Sequence, residues 1–166
     1  MELYLLRHGD AVDRLTGGYE HDEERPLTDR GRREARAAAL ALRALDAGIA
    51  QVISSQLVRA VQTARIVAEI IEPERGHSIE RALAPGGAPG AVAASLDAYG
   101  EADSILLVGH MPDLGELAGW LAWGDPLATL PFRTGGLCRI TARRPSGPGG
   151  DLRWFMPPKV LRKLEG

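Results

Sequence analysis

The stretch "LYLLRHGDA", Leu3 to Ala11, decides the reading of this chain. Leu3–Leu6 is a continuous apolar run, the pattern of a parallel strand covered on both faces. It ends in Arg7-His8-Gly9-Asp10. A permanent cation beside an imidazole at the end of a core strand is costly unless something there needs both. In open α/β sheets, sites form outside the carboxyl ends of the strands. The stretch thus points to a fold class and to the sheet edge where chemistry is expected.

Downstream, the chain alternates strand and helix signals. Residues 10–27 are polar and charged and read as a long surface loop. Thr28 is the expected N-cap of a helix running to about Leu45, with Ala35, Ala38, Ala39, Leu42 and Leu45 at helical spacing and Gly48 as the stop. Gln51–Ser55 reads as a second strand, followed by a helix from about Leu57 to Ile71 that Pro73 ends. "HSIER", His77–Arg81, reads as a short third strand that contains Glu80. "PGAVAASLDAYG", Pro89–Gly100, reads as a helix, and Ser104–His110 as the next buried strand. "PDLGELAGWLAW", Pro112–Trp123, is helical and closed by Gly124, with Trp120 and Trp123 expected in the core. "GLCRITAR" and "DLRWFM" read as two strands joined across the turn-rich "RPSGPGG", and "KVLRKLE" as a short closing helix. The alternation predicts one α/β domain over residues 1–166, in three layers. A mostly parallel central sheet carries helices on both faces, and the last hairpin forms an antiparallel edge.

Composition narrows the function classes. The 45% hydrophobic and 25% charged content is that of a soluble globular protein. A net charge of −2 gives no global basic field for nucleic acid. Cys138 is the only cysteine, so no intramolecular disulfide forms, as in a reducing compartment. The N-terminus has no basic leader, and no run approaches the roughly 20 apolar residues of a membrane span. A soluble cytoplasmic protein with neither a nucleic-acid nor a membrane partner is expected.

Three residue groups fall at strand ends. Arg7 and His8 end the first strand; Ser54 and Ser55 end the second, with Arg59 shortly after; Gly109 and His110 end the fourth. All three should meet on one edge. The planar forks of Arg7 and Arg59 match phosphate oxygens bidentately, so the pocket would want a dianion, most simply a phosphoryl group. One neutral imidazole there can attack phosphorus and form a phosphohistidine, while the other donates a hydrogen bond to the phosphoryl oxygens. His8 is the better nucleophile, because it sits at a rigid strand end. Gly9 beside it lets backbone and phosphate approach closely. A backbone carbonyl accepting its Nδ1–H would leave Nε2 free. The flanking arginines are expected to lower its pKa and keep it neutral. No metal or other cofactor is needed, since arginines and His110 supply the positive charge, and no HExxH or CxxC pattern occurs. Asp10 reads equally as a proton donor or as a polar loop residue. His21 and His77 read as surface residues.

Together these motifs resemble the histidine phosphatase superfamily and its phosphoglycerate-mutase-like fold. The resemblance rests on Arg7-His8-Gly9 after the first strand, on "SSQLVRAVQTA" from Ser54 to Ala64, and on "LLVGHMP" ending in the Gly109-His110 turn. "RHGDA", "RPLTDRG", "LAPGG", "VGHMPDLG" and "PFRTGG" resemble the small phosphohistidine phosphatases of the SixA type. The resemblance implies His8 as nucleophile and Arg7, Arg59 and His110 as the lining of a phosphate pocket. It adds Arg25, either as a substrate contact or as a salt bridge bracing the loop.

One departure is informative. Larger family members carry a glutamate general acid after the third strand in a Leu-x-Glu context; here the matching place reads Leu83-Ala84-Pro85. Expelling an alkoxide needs a proton, because the conjugate alcohol is nearly as weak an acid as water, with pKa about 15.7. Expelling imidazole is easier, because its conjugate acid has pKa near 6.5. The missing acid therefore fits cleavage of a P–N bond. The expected function is hydrolysis of phosphohistidine through a covalent phosphohistidine enzyme, with a phosphohistidine-bearing protein or a small phosphorylated compound as substrate. The alternatives are a small-molecule phosphomonoesterase with Asp10 as acid and, from another class, a non-catalytic phosphate-binding module. A mutase is disfavoured by the short chain.

Overall fold

The computed structural model describes residues 1–100, 102–125, 127–143 and 147–164. Six strands form one sheet: β1 (Glu2–Arg7), β2 (Gln51–Ser54), β3 (His77–Ile79), β4 (Ser104–Gly109), β5 (Leu137–Thr141) and β6 (Asp151–Met156), in the order β3-β2-β4-β1-β5-β6. β3, β2, β4 and β1 run parallel, and β5 and β6 continue the sheet antiparallel. The helices are α1 (Asp29–Ala44), α2 (Val58–Ile71), α3 (Pro89–Ser95), α4 (Asp113–Trp123) and α5 (Pro158–Leu161).

Strand periodicity sorts the core into two layers. Leu3, Leu5, Ile105, Leu107 and Cys138 point to one face and meet α3 and α4 through Val92, Leu114, Leu117 and Leu121. Tyr4, Leu6, Leu106, Val108 and Leu137 point to the other and meet α1, α2 and α5 through Ala38, Leu42, Ala64, Val67 and Leu161. Every residue of β4 is buried, as a central strand with helices on both sides requires. The three-layer α/β architecture with a mostly parallel sheet is thus present. No described helix is long and apolar enough to cross a membrane.

Several local expectations are corrected. Gly48 does not stop α1. The helix closes on Leu45, and Asp46 takes the left-handed conformation (φ 48°). Asp46 N–H donates to Arg43 O and Ala47 N–H to Leu42 O, so an aspartate fills the place that glycine usually takes in this closing motif. The helix expected over 89–100 tightens into a 3-10 turn at Leu96–Tyr99. Glu80 lies just past β3 rather than inside it, where its carboxylate caps the turn Arg81–Leu83 by accepting Ala82 N–H. The closing helix is one turn, Pro158–Leu161, with Pro157 and Pro158 at its start; Glu165 falls outside the described residues. The turn-rich "RPSGPGG" is described only from Gly147 onward. Trp120 is partly buried, but Trp123 is 55% exposed. Trp123 shares a helix face with Gly115 and Gly119, which residues 128–130 cover closely; it stands one turn beyond that cover.

Candidate active site

Register brings the two histidines together. β1 and β4 are neighbours, with Arg7 opposite Gly109, and His8 N–H donates to Gly109 O at 3.1 Å. His8 and His110 therefore leave adjacent strand ends, with ring centroids 4.9 Å apart. Beside them, Ser55 N–H donates to Val108 O, which carries the end of β2 to the same edge. Arg59, in the first turn of α2, reaches back until its Nε lies 3.3 Å from His8 Nε2. The predicted convergence of Arg7, His8, Arg59 and His110 is what the structure contains: all four line one pocket of about 360 Å³, with Asp10, Asp22 and Arg25 on its wall.

The tautomer of His8 follows from its partners. Its Nδ1 lies 2.7 Å from Gly9 O, and a carbonyl only accepts, so Nδ1 carries the hydrogen. The guanidinium of Arg59 only donates, so Nε2 presents its lone pair. Burial first, then the charges of Arg59, Arg7 and Arg25, push the His8 pKa down to about 4, although the Gly9 carbonyl opposes the shift. The arginines thus act as expected, but desolvation leads. His110 is driven to about 3, again first by burial, then by His8 and Arg59. Its Nε2 lies 2.6 Å from the Ser55 hydroxyl, which in turn accepts Leu57 N–H at 3.4 Å. Its Nδ1 is buried with no partner among the described residues, and so is Arg7 Nε. Each is a polar atom whose hydrogen-bonding capacity the protein leaves unspent.

The surrounding motifs hold this set in place. Arg7 Nη1 donates to Phe132 O at 2.8 Å, and Gly135 N–H to the carbonyls of Arg7 and His8, so "PFRTGG" cradles the end of β1. Gly135 needs its positive φ of 70° for that approach. Gly9 is not on the pocket wall; its N–H donates to Thr63 Oγ1, and a Cβ there would meet Gly31 O at 2.3 Å. The glycine is needed for close contact with the start of α1. Thr28 caps α1 through Gly31 N–H and donates to Asp10 Oδ2 at 2.7 Å. Gln62 accepts Leu27 N–H, so the "VQTA" segment of α2 fastens both loops. His21 is exposed, and His77 is half-buried, with Nε2 2.9 Å from the Ser54 hydroxyl.

Comparison with known proteins agrees with this geometry. The sequence profile of the histidine phosphatase superfamily (branch 1) matches residues 3–81. The chain is 38% identical over 166 residues to an uncharacterized protein of Picosynechococcus sp., covering 97% of this chain and 99% of that one. It is 32% identical over 165 residues to the phosphohistidine phosphatase SixA of Escherichia coli, covering 98% and 97%. The chain belongs to the histidine phosphatase superfamily. Within it, the structure of the protein histidine phosphatase SixA complexed with tungstate superposes with a TM-score of 0.85 at 31% identity, over 97% of this chain and 99% of that one.

Sequence reasoning missed one member of this histidine phosphatase site, Asp22. Its carboxylate lies 2.7 Å from Arg59 Nη2 and 2.7 Å from Arg25 Nη2, and its carbonyl accepts Arg59 Nη1–H at 2.7 Å. Partial burial acts to raise the Asp22 carboxyl, but the hydrogen bonds and charges of Arg59 and Arg25 outweigh it and hold the group below the ordinary carboxylate range. Arg25 makes the expected bracing salt bridge, pairing with Asp22 and donating to Val12 O, and it also lies on the pocket wall. No local pattern in "EHDEERP" distinguishes Asp22 from its acidic neighbours; only the spacing to Arg25 hinted at an i,i+3 pair.

Proposed function

We propose that this protein hydrolyses phosphohistidine through a covalent phosphohistidine on His8. The observation that carries the reading is the state of the His8 ring. It is neutral, with Nδ1–H spent on Gly9 and the Nε2 lone pair presented in a pocket lined by three guanidinium groups. The full-length likeness to the E. coli phosphohistidine phosphatase supports the substrate class.

The phosphoryl group settles against Arg7 and Arg59. Arg7 Nε and His110 Nδ1, both without partners among the described residues, take its oxygens. In this reading the Ser55 hydroxyl, which accepts Leu57 N–H, donates its own hydrogen to His110 Nε2, so the ring hydrogen sits on Nδ1. His8 Nε2 attacks phosphorus as the bond to the substrate nitrogen breaks. The substrate ring, protonated on its other nitrogen, leaves as neutral imidazole. Phosphorylated His8 keeps its Nδ1–H on Gly9 and is itself a cationic, good leaving group. Water then attacks phosphorus, the P–Nε2 bond breaks, and dihydrogen phosphate departs with His8 neutral again. No strong acid is needed at either step. Pro85 lines the pocket where larger superfamily members carry a glutamate, which supports P–N over P–O cleavage. The same reading takes residues 1–166 as one domain, with a phosphohistidine-bearing protein as substrate; the buried free thiol of Cys138 supports a reducing, cytoplasmic setting.

A substrate panel tests the reading. A phosphohistidine peptide and free phosphohistidine should turn over with kcat/KM well above that of sugar phosphates and p-nitrophenyl phosphate. Faster hydrolysis of a sugar phosphate would replace it with the phosphomonoesterase, and binding without turnover of any donor with the phosphate-binding module.

A further inference from the structure

A second positively charged hollow, of about 310 Å³, is lined by Arg30, Arg133, Pro157, Pro158, Lys159 and Arg162. Among the described residues, no carboxylate lines it. Arg30 pairs with Glu34 at 2.9 Å, but that carboxylate is buried behind it and also accepts Asp10 N–H. The side chains of Arg133, Lys159 and Arg162 have no ion pair among the described residues. In a chain of net charge −2, this is a concentrated local reversal of sign. The floor is firm, since Pro158 and Leu161 are buried and anchor α5.

The hollow adjoins the catalytic pocket along two covalent or hydrogen-bonded links. Arg133 is bonded to Thr134, a residue of the catalytic pocket wall. Glu34 joins Arg30 to the backbone of Asp10, also on that wall. The two hollows therefore share neighbouring wall residues, so a chain whose phosphoryl group meets His8 has a second cationic surface close by.

We propose that this hollow docks an acidic segment of the substrate protein, adjacent in space to its phosphohistidine; the inference rests on the phosphohistidine reading above. The cations extend from surface positions instead of converging as a cage with buried donors. That spread suits several carboxylates along a chain better than one phosphate. Each pair is solvent-exposed and individually weak, so the effect comes from several acting together. Such docking lowers KM for the protein substrate without touching the chemical step.

The test compares free phosphohistidine with two phosphohistidine peptides, one flanked by Asp and Glu and one flanked by Asn and Gln. The wild type should favour the acidic peptide in kcat/KM by about tenfold, through KM, with the preference shrinking as salt rises. Lys159→Glu with Arg162→Glu should abolish or invert that preference and leave free phosphohistidine turnover unchanged. The milder Lys159→Gln with Arg162→Gln serves if the charge reversal does not fold, and should halve the preference or more. Equal kcat/KM for the two peptides in the wild type, or a preference that survives the substitutions, would overturn the inference. Fluorescence anisotropy with the unphosphorylated acidic peptide reads docking by itself: binding weakened by the substitutions supports the surface, and absence of binding rejects it. That result stands even if no phosphohistidine donor is hydrolysed, which would defeat the catalytic reading alone.

Discussion

Asp22→Asn should make the site bind oxyanions more tightly. The Asp22 carboxylate spans Arg59 and Arg25 with contacts of 2.7 Å to each, and a phosphoryl group needs the same guanidinium groups. An incoming dianion must displace that carboxylate or tolerate its charge. The Arg59 side chain is 5% exposed and that of Asp22 45%, so the pair is partly screened. Discounted for solvent, each contact is worth about 1 kcal/mol, the upper end for exposed pairs. Removing the charge at constant shape should then tighten binding by roughly five- to thirtyfold, at about 1.4 kcal/mol per tenfold. Asparagine keeps an acceptor for one arginine, so Arg59 stays in place through the Asp22 carbonyl. Titration calorimetry with tungstate and with inorganic phosphate, at fixed pH and salt, measures the effect. Weaker binding in the variant would refute the reasoning and show that Asp22 chiefly holds Arg59 in position.

Ser55→Ala strips His110 Nε2 of its 2.6 Å partner, and an unpaired buried polar group costs about 1–3 kcal/mol. With the ring tautomer released, kcat should fall about ten- to a hundredfold, and the ¹⁵N shifts of His110 should report a mixed tautomer. The two depressed histidines make stability depend on pH. Both are neutral in the fold down to about 4 and about 3 but protonate near 6.5 when unfolded, so their contribution is complete above pH 6.5 and is lost as pH falls toward 4. Urea melts at pH 7 and pH 4.5 should show the loss, and His8→Asn should reduce it. Gly31→Ala places a Cβ about 2.0 Å from Asp10 O, inside any allowed contact, and should lower stability by about 2 kcal/mol or more, read as a drop in Tm with loss of oxyanion binding.

The convergence of the pocket residues Arg7, His8, Arg59 and His110 was legible because each lies at or just beyond the end of a buried strand, and a parallel sheet carries such ends to one edge. Arg7 and His8, Ser55 and Arg59, and His110 needed only the order of elements to be brought together. The tautomer of His8 was legible too, since a strand-end histidine has few carbonyls but its own neighbour's. Asp22 was not legible, because its role depends on how the loop of residues 10–27 folds back over α2, and no periodic pattern encodes that path. From its neighbours alone Gly9 reads as a place for phosphate approach, whereas the constraint in the fold is Gly31 across the loop, a long-range contact hidden from local sequence. Trp123 misled because helical spacing marks a face without saying how far along the helix the covering loop extends. Gly48 misled because Asp46 took the left-handed position two residues earlier.

The central claim is that phosphorus passes through His8. Rapid quenching of the enzyme with ³²P-labelled phosphohistidine peptide, followed by peptide mapping, tests it most directly. A base-stable, acid-labile label should form on His8, decay within the turnover time and be absent from His8→Ala. A label on another residue, or turnover by His8→Ala at the wild-type rate, would contradict it.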